Sequence, residues 1–225
     1  MKKIRIRENP NLQGYIRIIN QLTRLKISYG KDSTEPLLGS AVDPQISRLL
    51  KVYSLVPRKT DLPARSVWRA RQMINTEAKL QKLLSPTKDT VPKVEDLHIP
   101  SPAGQMWMRV YHPFPDKILP VMVYYHGGGW VVGSPDTHDN LTRALAKQAG
   151  CVVFSVDYRL APENPFPSAV EDAWFALNWV SVNAGQYNGN PQRLAVGGDS
   201  AGGNLSAVIC QMGRDRQGPP IACQL

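Results

Sequence analysis

At 225 residues, the chain is long enough for one domain with a small appendage and buries a core without disulfide or metal staples. Hydrophobic residues at 42% and charged residues at 20% exclude wholesale disorder. The net charge of +9 is uneven: residues 1–100 hold 19 Lys+Arg against 9 Asp+Glu, whereas residues 101–225 hold 8 against 9.

In chain order, Met1-Lys2-Lys3-Ile4-Arg5-Ile6-Arg7-Glu8 has no apolar core of a secretory signal. Asn11 to Ser28 carries Leu12, Tyr15, Ile16, Ile19, Leu22 and Leu25 at helical spacing. Asp43-Pro44 reads as a helix N-cap and first turn, followed by Ile46, Leu49, Leu50 and Tyr53. A third helix is predicted between Leu62 and Leu84, and Pro86 and Pro92 mark a linker. Residues 1–90 are therefore expected to form a helical region and 91–225 the strand-containing core, which reads as incomplete. From Val94 the period changes to that of strands. Val94–Ile99 and Gln105–Tyr111 form an expected hairpin about Ser101-Pro102-Ala103-Gly104. Apolar runs at Pro120–Tyr125, Cys151–Val156 and Arg193–Val196 alternate with helices expected at Thr137–Gly150, Ala169–Val182 and Ala201–Met212. That alternation predicts an α/β fold with a mostly parallel sheet built from right-handed βαβ units.

Several function classes drop out. The longest charge-free apolar stretch, Ile118–Pro135, contains Pro120, His126 and three consecutive glycines and is no spanning helix. The chain reads as soluble and cytoplasmic. Cys151, Cys210 and Cys223 are odd in number and lack metal-ligand spacing, so neither a metal nor a cofactor is expected. The basic first part has no nucleic-acid-binding pattern and reads as a solvated helix surface.

The chemistry concentrates in two segments. Gly198-Asp199-Ser200-Ala201-Gly202 is a G-x-S-x-G pattern between a predicted strand and a predicted helix, the context of a nucleophile elbow. A serine on so tight a turn leaves no room for side chains two residues before and after it, hence Gly198 and Gly202. The helix that follows aims its N-terminal N–H groups at the turn and favours an anion there. His126-Gly127-Gly128-Gly129-Trp130, directly after an apolar strand, offers unshielded peptide N–H groups. No Gly-Lys-Ser/Thr follows and no G-x-G-x-x-G opens a helix, which speaks against a nucleotide. Two anion-stabilising turns and one serine suit acyl transfer. Ser200 would attack a carbonyl, and Ala201 N–H with the Gly127-Gly128-Gly129 loop, chiefly Gly128 and Gly129, would hold the oxyanion.

Together with Asp157-Tyr158-Arg159-Leu160-Ala161-Pro162-Glu163, these motifs resemble the hormone-sensitive lipase family of α/β-hydrolases, over about residues 40–225. Bacterial carboxylesterases and arylacetamide deacetylases belong to that family. The resemblance implies an α/β-hydrolase sheet with an N-terminal helical cap and a small-molecule ester substrate of short or medium acyl chain. It implies Ser200 as nucleophile, with Gly128, Gly129 and Ala201 around the oxyanion, and His126 as a structural residue of the loop. Asp199 supports the motif. Asp157, Arg159 and Glu163 are implied as a buried polar brace beside the site. Trp130 and apolar cap residues would line the acyl pocket.

One feature departs from the family. The triad partners follow the serine in this fold, but all four histidines (His98, His112, His126, His138) precede Ser200 and Asp215 is the only acid after it. His138 is the sole histidine expected near the site besides His126; His98 and His112 fall on the outer hairpin. Ile221–Leu225 reads as the first half of a next strand, so a truncated, catalytically incomplete chain is expected, poor at hydrolysing activated esters by itself. The elbow strand would then form an open apolar edge, a route to homo-oligomers. Three other readings compete: an amidase or deacetylase with the same machinery, a ligand-binding protein like the plant gibberellin receptors that resemble this family, and a basic interaction module on residues 1–90.

Overall fold

The computed structural model describes residues 67–84 and 89–225. The helices expected at 11–28 and from Asp43 lie outside the described residues. Helix α1 spans Val67–Leu84. Strands β1 (Lys93–Ser101) and β2 (Gly104–His112) form the expected hairpin, with Ser101 opposite Gly104. Then follow β3 (Leu119–Tyr125), α2 (Asp139–Ala149), β4 (Val152–Asp157), α3 (Ser168–Asn183) and a 3-10 turn (Ala184–Tyr187). Strand β5 (Gly189–Gly198), α4 (Ala201–Asp215) and the short β6 (Cys223–Gln224) complete the described chain.

The six strands form one sheet in the order β1-β2-β4-β3-β5-β6. The hairpin and the β2–β4 pairing are antiparallel; β4, β3, β5 and β6 run parallel. Strands β3 and β4 are buried almost throughout, the pattern of central parallel strands covered on both faces. Side-chain alternation divides that burial. Val123, Tyr125, Phe154 and Val156 pack with Leu177 of α3 and Leu205 of α4, whereas Met122, Tyr124 and Val153 pack with Ala146 of α2 on the other face.

Topology then places the site. The chain leaves β3 to one side through α2 to β4, then returns through α3 to β5 on the other side of β3. Such a reversal opens a crevice at the carboxyl ends of the strands, where open α/β sheets bind ligands. The triple-glycine segment follows β3 and the serine turn follows β5, so both motifs open onto that crevice.

Two expectations change. Strand β5 is longer than the predicted Arg193–Val196, because Leu119 and Pro120 pair with Gly189 and Asn190 before a register shift at Pro120/Val121. The elbow strand is also not an open edge: β6 pairs with it at Ala195 and Val196, where Ala222 and Leu225 N–H groups reach Leu194 and Val196 carbonyls.

Candidate active site

Ser200 lies between the end of β5 and the first residue of α4, at φ 51° and ψ −115°. That region is costly for a residue with a Cβ and persists only where surrounding structure imposes it. The imposing contacts come from the two motif glycines. A Cβ on Gly202 would strike the Tyr125 carbonyl oxygen and lie 2.8 Å from the His126 carbonyl oxygen. A Cβ on Gly198 would strike the same Tyr125 oxygen and lie 2.5 Å from the Gly202 carbonyl carbon. The serine turn is therefore pressed directly against the end of β3, which is why the G-x-S-x-G spacing is required here.

In the glycine segment, the backbone passes through positive φ at Gly128 (120°), Gly129 (61°) and Trp130 (60°). Because a peptide unit is planar, the partner of its carbonyl sets the direction of its N–H. The Gly127 carbonyl accepts from His126 Nδ1–H at 2.8 Å, which orients the Gly128 N–H. The Gly128 carbonyl accepts from Val131 and Val132 N–H at 3.1 and 3.0 Å, which orients the Gly129 N–H. Among the described residues, the N–H groups of Gly128, Gly129 and Ala201 donate to no protein acceptor. Gly127 differs, and the expectation for it is corrected. Its N–H donates to Asp199 Oδ1 at 2.8 Å and is unavailable to a ligand.

Asp199 is the bracket between the two motifs. Besides Gly127 N–H it accepts from the Tyr124 hydroxyl at 2.6 Å, and His138 Nε2 lies 3.4 Å away. Burial alone would raise its pKa, but the Tyr124 hydrogen bond, His138 and the Gly127 N–H outweigh it and hold the carboxyl below its usual range. Sequence reasoning missed Tyr124. Its signal was only strand alternation, which places it on the face opposite Tyr125, toward His138.

Comparisons with known proteins fit this geometry. The α/β-hydrolase fold family profile matches residues 122–225. Carboxylesterase NlhH of Mycobacterium tuberculosis is 44% identical over 195 residues, 85% of this chain and 58% of that protein. The arylesterase of Saccharolobus solfataricus is 34% identical over 179 residues, 78% of this chain and 56% of that one. The solved structure of a hyperthermophilic esterase from the archaeon Pyrobaculum calidifontis aligns with a TM-score of 0.74 at 39% identity, covering 82% of this chain and 58% of that chain. The chain has the α/β-hydrolase fold, and its motifs are similar to those of the hormone-sensitive lipase family. It spans 58% of the length of the first of these relatives.

Within this α/β-hydrolase, the implied brace of Asp157, Arg159 and Glu163 does not form as one unit. Arg159 forks onto Asp172 of α3, with Nη2 2.8 Å from Oδ1 and Nε 2.9 Å from Oδ2. Glu163 has a 57% exposed side chain and pairs with Arg71 of α1. Asp157 ends β4 opposite Trp107, where burial, together with the charge of Asp136, pushes its carboxyl up to about 6. The reason is local: the end of a strand, the loop after it and the following turn each aim their side chain at a different neighbour. Trp130 is 39% exposed. Of the other histidines, His98 is exposed on β1 and His112 is buried at the end of β2. His138 precedes α2, its Nδ1 2.9 Å from Thr137 Oγ1. Among the described residues, no group of three or more His, Cys, Asp or Glu is placed to hold a metal ion, and no helix is long and apolar enough to cross a membrane.

His126 is fully buried, stacked on Tyr158 at 4.3 Å, and its carbonyl accepts from the Tyr158 hydroxyl at 2.7 Å. Burial pushes its imidazole down to about 4, so the ring is neutral at pH 7 with its proton on Nδ1, facing Gly127. A histidine with a depressed folded pKa adds stability above its unfolded value, near 6.5, and that stability is lost as pH falls toward about 4. Asp157, raised to about 6, works against this loss over the same window, since its buried carboxyl gains a proton. Urea unfolding of wild type and His126→Asn separates the two. Between pH 7.5 and 4.5, wild type is expected to lose about 2–3 kcal/mol more than the variant. Equal losses would show that His126 charges freely in the folded protein.

Proposed function

We propose that this chain carries the nucleophile and oxyanion donors of a carboxylic-ester hydrolase. Ser200 Oγ attacks the ester carbonyl and forms a tetrahedral oxyanion. The N–H groups of Gly128, Gly129 and Ala201 donate hydrogen bonds to the developing oxyanion. Collapse expels the alcohol, which takes up the serine proton, and leaves an acyl-serine that water hydrolyses. Preorganised donors of this kind are worth about 3–4 kcal/mol each in comparable sites. The observation that carries the reading is the strained Ser200 turn pressed onto the end of β3, with Asp199 tying it to the glycine segment.

The base and the acid that the family places after the serine have no counterpart among these residues, and the proposal assigns neither. The relatives named carboxylesterase and arylesterase favour oxygen esters over amides, and the family resemblance favours short or medium acyl chains. Residues 1–90 are proposed to be the helical cap region that the family resemblance implies. The test is exposure of the protein carrying this sequence to a fluorophosphonate probe, followed by peptide mapping. A single adduct on Ser200, competed by p-nitrophenyl butyrate and absent from Ser200→Ala, is expected. An adduct elsewhere, or none on Ser200, would refute the assignment.

A further inference from the structure

Arg71 of α1 makes four hydrogen bonds to two separate loops. Its Nε donates to the Val131 carbonyl at 2.8 Å, and its Nη2 to the Ala161 carbonyl at 2.9 Å. Its Nη1 and Nη2 also grip the Glu163 carboxylate, at 2.9 and 2.7 Å. The two loops are themselves joined, because Ala161 N–H donates to the Trp130 carbonyl at 2.8 Å. We infer that Arg71 is a positioning residue that holds the glycine segment in its donor-presenting conformation, and so makes α1 part of the catalytic apparatus. This rests on the ester-hydrolase reading above.

Backbone strain supplies the reason. Trp130, at φ 60°, occupies a conformation that a bulky residue adopts only under constraint. The next two carbonyls along the chain, of Trp130 and Val131, are captured by Ala161 N–H and Arg71. Inward, the same short turn is closed by the Gly128 carbonyl, whose peptide unit carries the Gly129 N–H. Releasing Val131 frees the turn to relax and swings that N–H away. A planar guanidinium satisfies three acceptors in fixed directions; an ammonium has no such fork. The Arg71 side chain is 27% exposed and that of Glu163 57% exposed, so solvent screens the ionic part. The two bonds to carbonyls therefore carry the positioning.

The experiment compares wild type with Arg71→Ala, Arg71→Lys, Glu163→Gln and Arg69→Ala, the last removing an exposed cation from the same helix. Two quantities are read: p-nitrophenyl butyrate kinetics below the melting transition, and deuterium uptake of the 126–133 segment. Arg71→Ala is expected to lower kcat by roughly tenfold to a hundredfold with KM changed less than about threefold, and to speed exchange in 126–133 but not in β3. Arg71→Lys is expected to fall between, Glu163→Gln to lower kcat less than Arg71→Ala, and Arg69→Ala to match wild type. Should Arg71→Ala be unfolded at the assay temperature, Arg71→Lys is read by the same two measures. Unchanged uptake in 126–133, a change in KM alone, or faster exchange throughout the core would each overturn the inference. Faster local exchange in Arg71→Ala of a protein whose wild-type Ser200 takes up no fluorophosphonate would instead uphold Arg71 as the anchor and sink the hydrolase reading.

Discussion

Ser200→Gly is expected to abolish fluorophosphonate labelling while raising the unfolding free energy by about 1–2 kcal/mol. At φ 51° and ψ −115°, a Cβ is strained, and removing it relieves on the order of 2–3 kcal/mol. Glycine returns about 1 kcal/mol of that through the greater freedom of the unfolded chain. The hydroxyl contributes nothing in compensation, since it caps no N–H of α4. The strain is thus present to expose Oγ at the crevice, and stability and reactivity trade against each other at one residue. Chemical denaturation and probe labelling, run on the same sample, check both halves. A Ser200→Gly protein that is less stable than wild type would mean that the turn is not strained.

Gly202→Ala is expected to cost about 3–5 kcal/mol and to eliminate labelling as well. In an exposed helix the same change would gain up to about 1 kcal/mol. Here the new methyl meets the Tyr125 and His126 carbonyls, which are backbone atoms at the end of a central strand and have no rotamer to escape into. Either α4 tilts away from β3 or β3 bends, and both disturb Ser200. Gly213→Ala, on the same helix, is the control. Its methyl would sit 3.6 Å from Ile221 Cδ1, an ordinary contact, and a small gain of about 0.5–1 kcal/mol is expected. Urea midpoints that move in opposite directions for the two variants support the close-approach account. A Gly202→Ala protein that unfolds like wild type and still reacts with the probe would remove it.

These two glycines show what could be read directly. The requirement for glycine on either side of Ser200 follows from the sharpness of a strand-to-helix turn, a local property. So do the strand and helix positions, because hydrophobic period is written residue by residue: helix α3 and strands β3 and β4 fall within about two residues of expectation. The fold class followed from the alternation of those elements.

What could not be read was which groups meet across the crevice. The glycine segment reads as a run of donors, chiefly Gly128 and Gly129, with Gly127 among them; tertiary structure takes Gly127 out. Gly127 faces the Asp199 carboxylate, 72 residues away in sequence, and spends its N–H there. The family resemblance implied Asp157, Arg159 and Glu163 as one brace. Strand, loop and turn geometry sent them to separate partners, one of them Arg71, 92 residues from Glu163. Periodicity and turn chemistry are short-range and leave their mark on consecutive residues. A hydrogen bond between distant segments depends on register, crossing and the direction of each Cα–Cβ bond, which exist only once the sheet has been assembled. The amino-acid sequence by itself thus determined the elements, the strained serine and the glycine-rich donors; the packed sheet decided which donors stay free and what holds them in place.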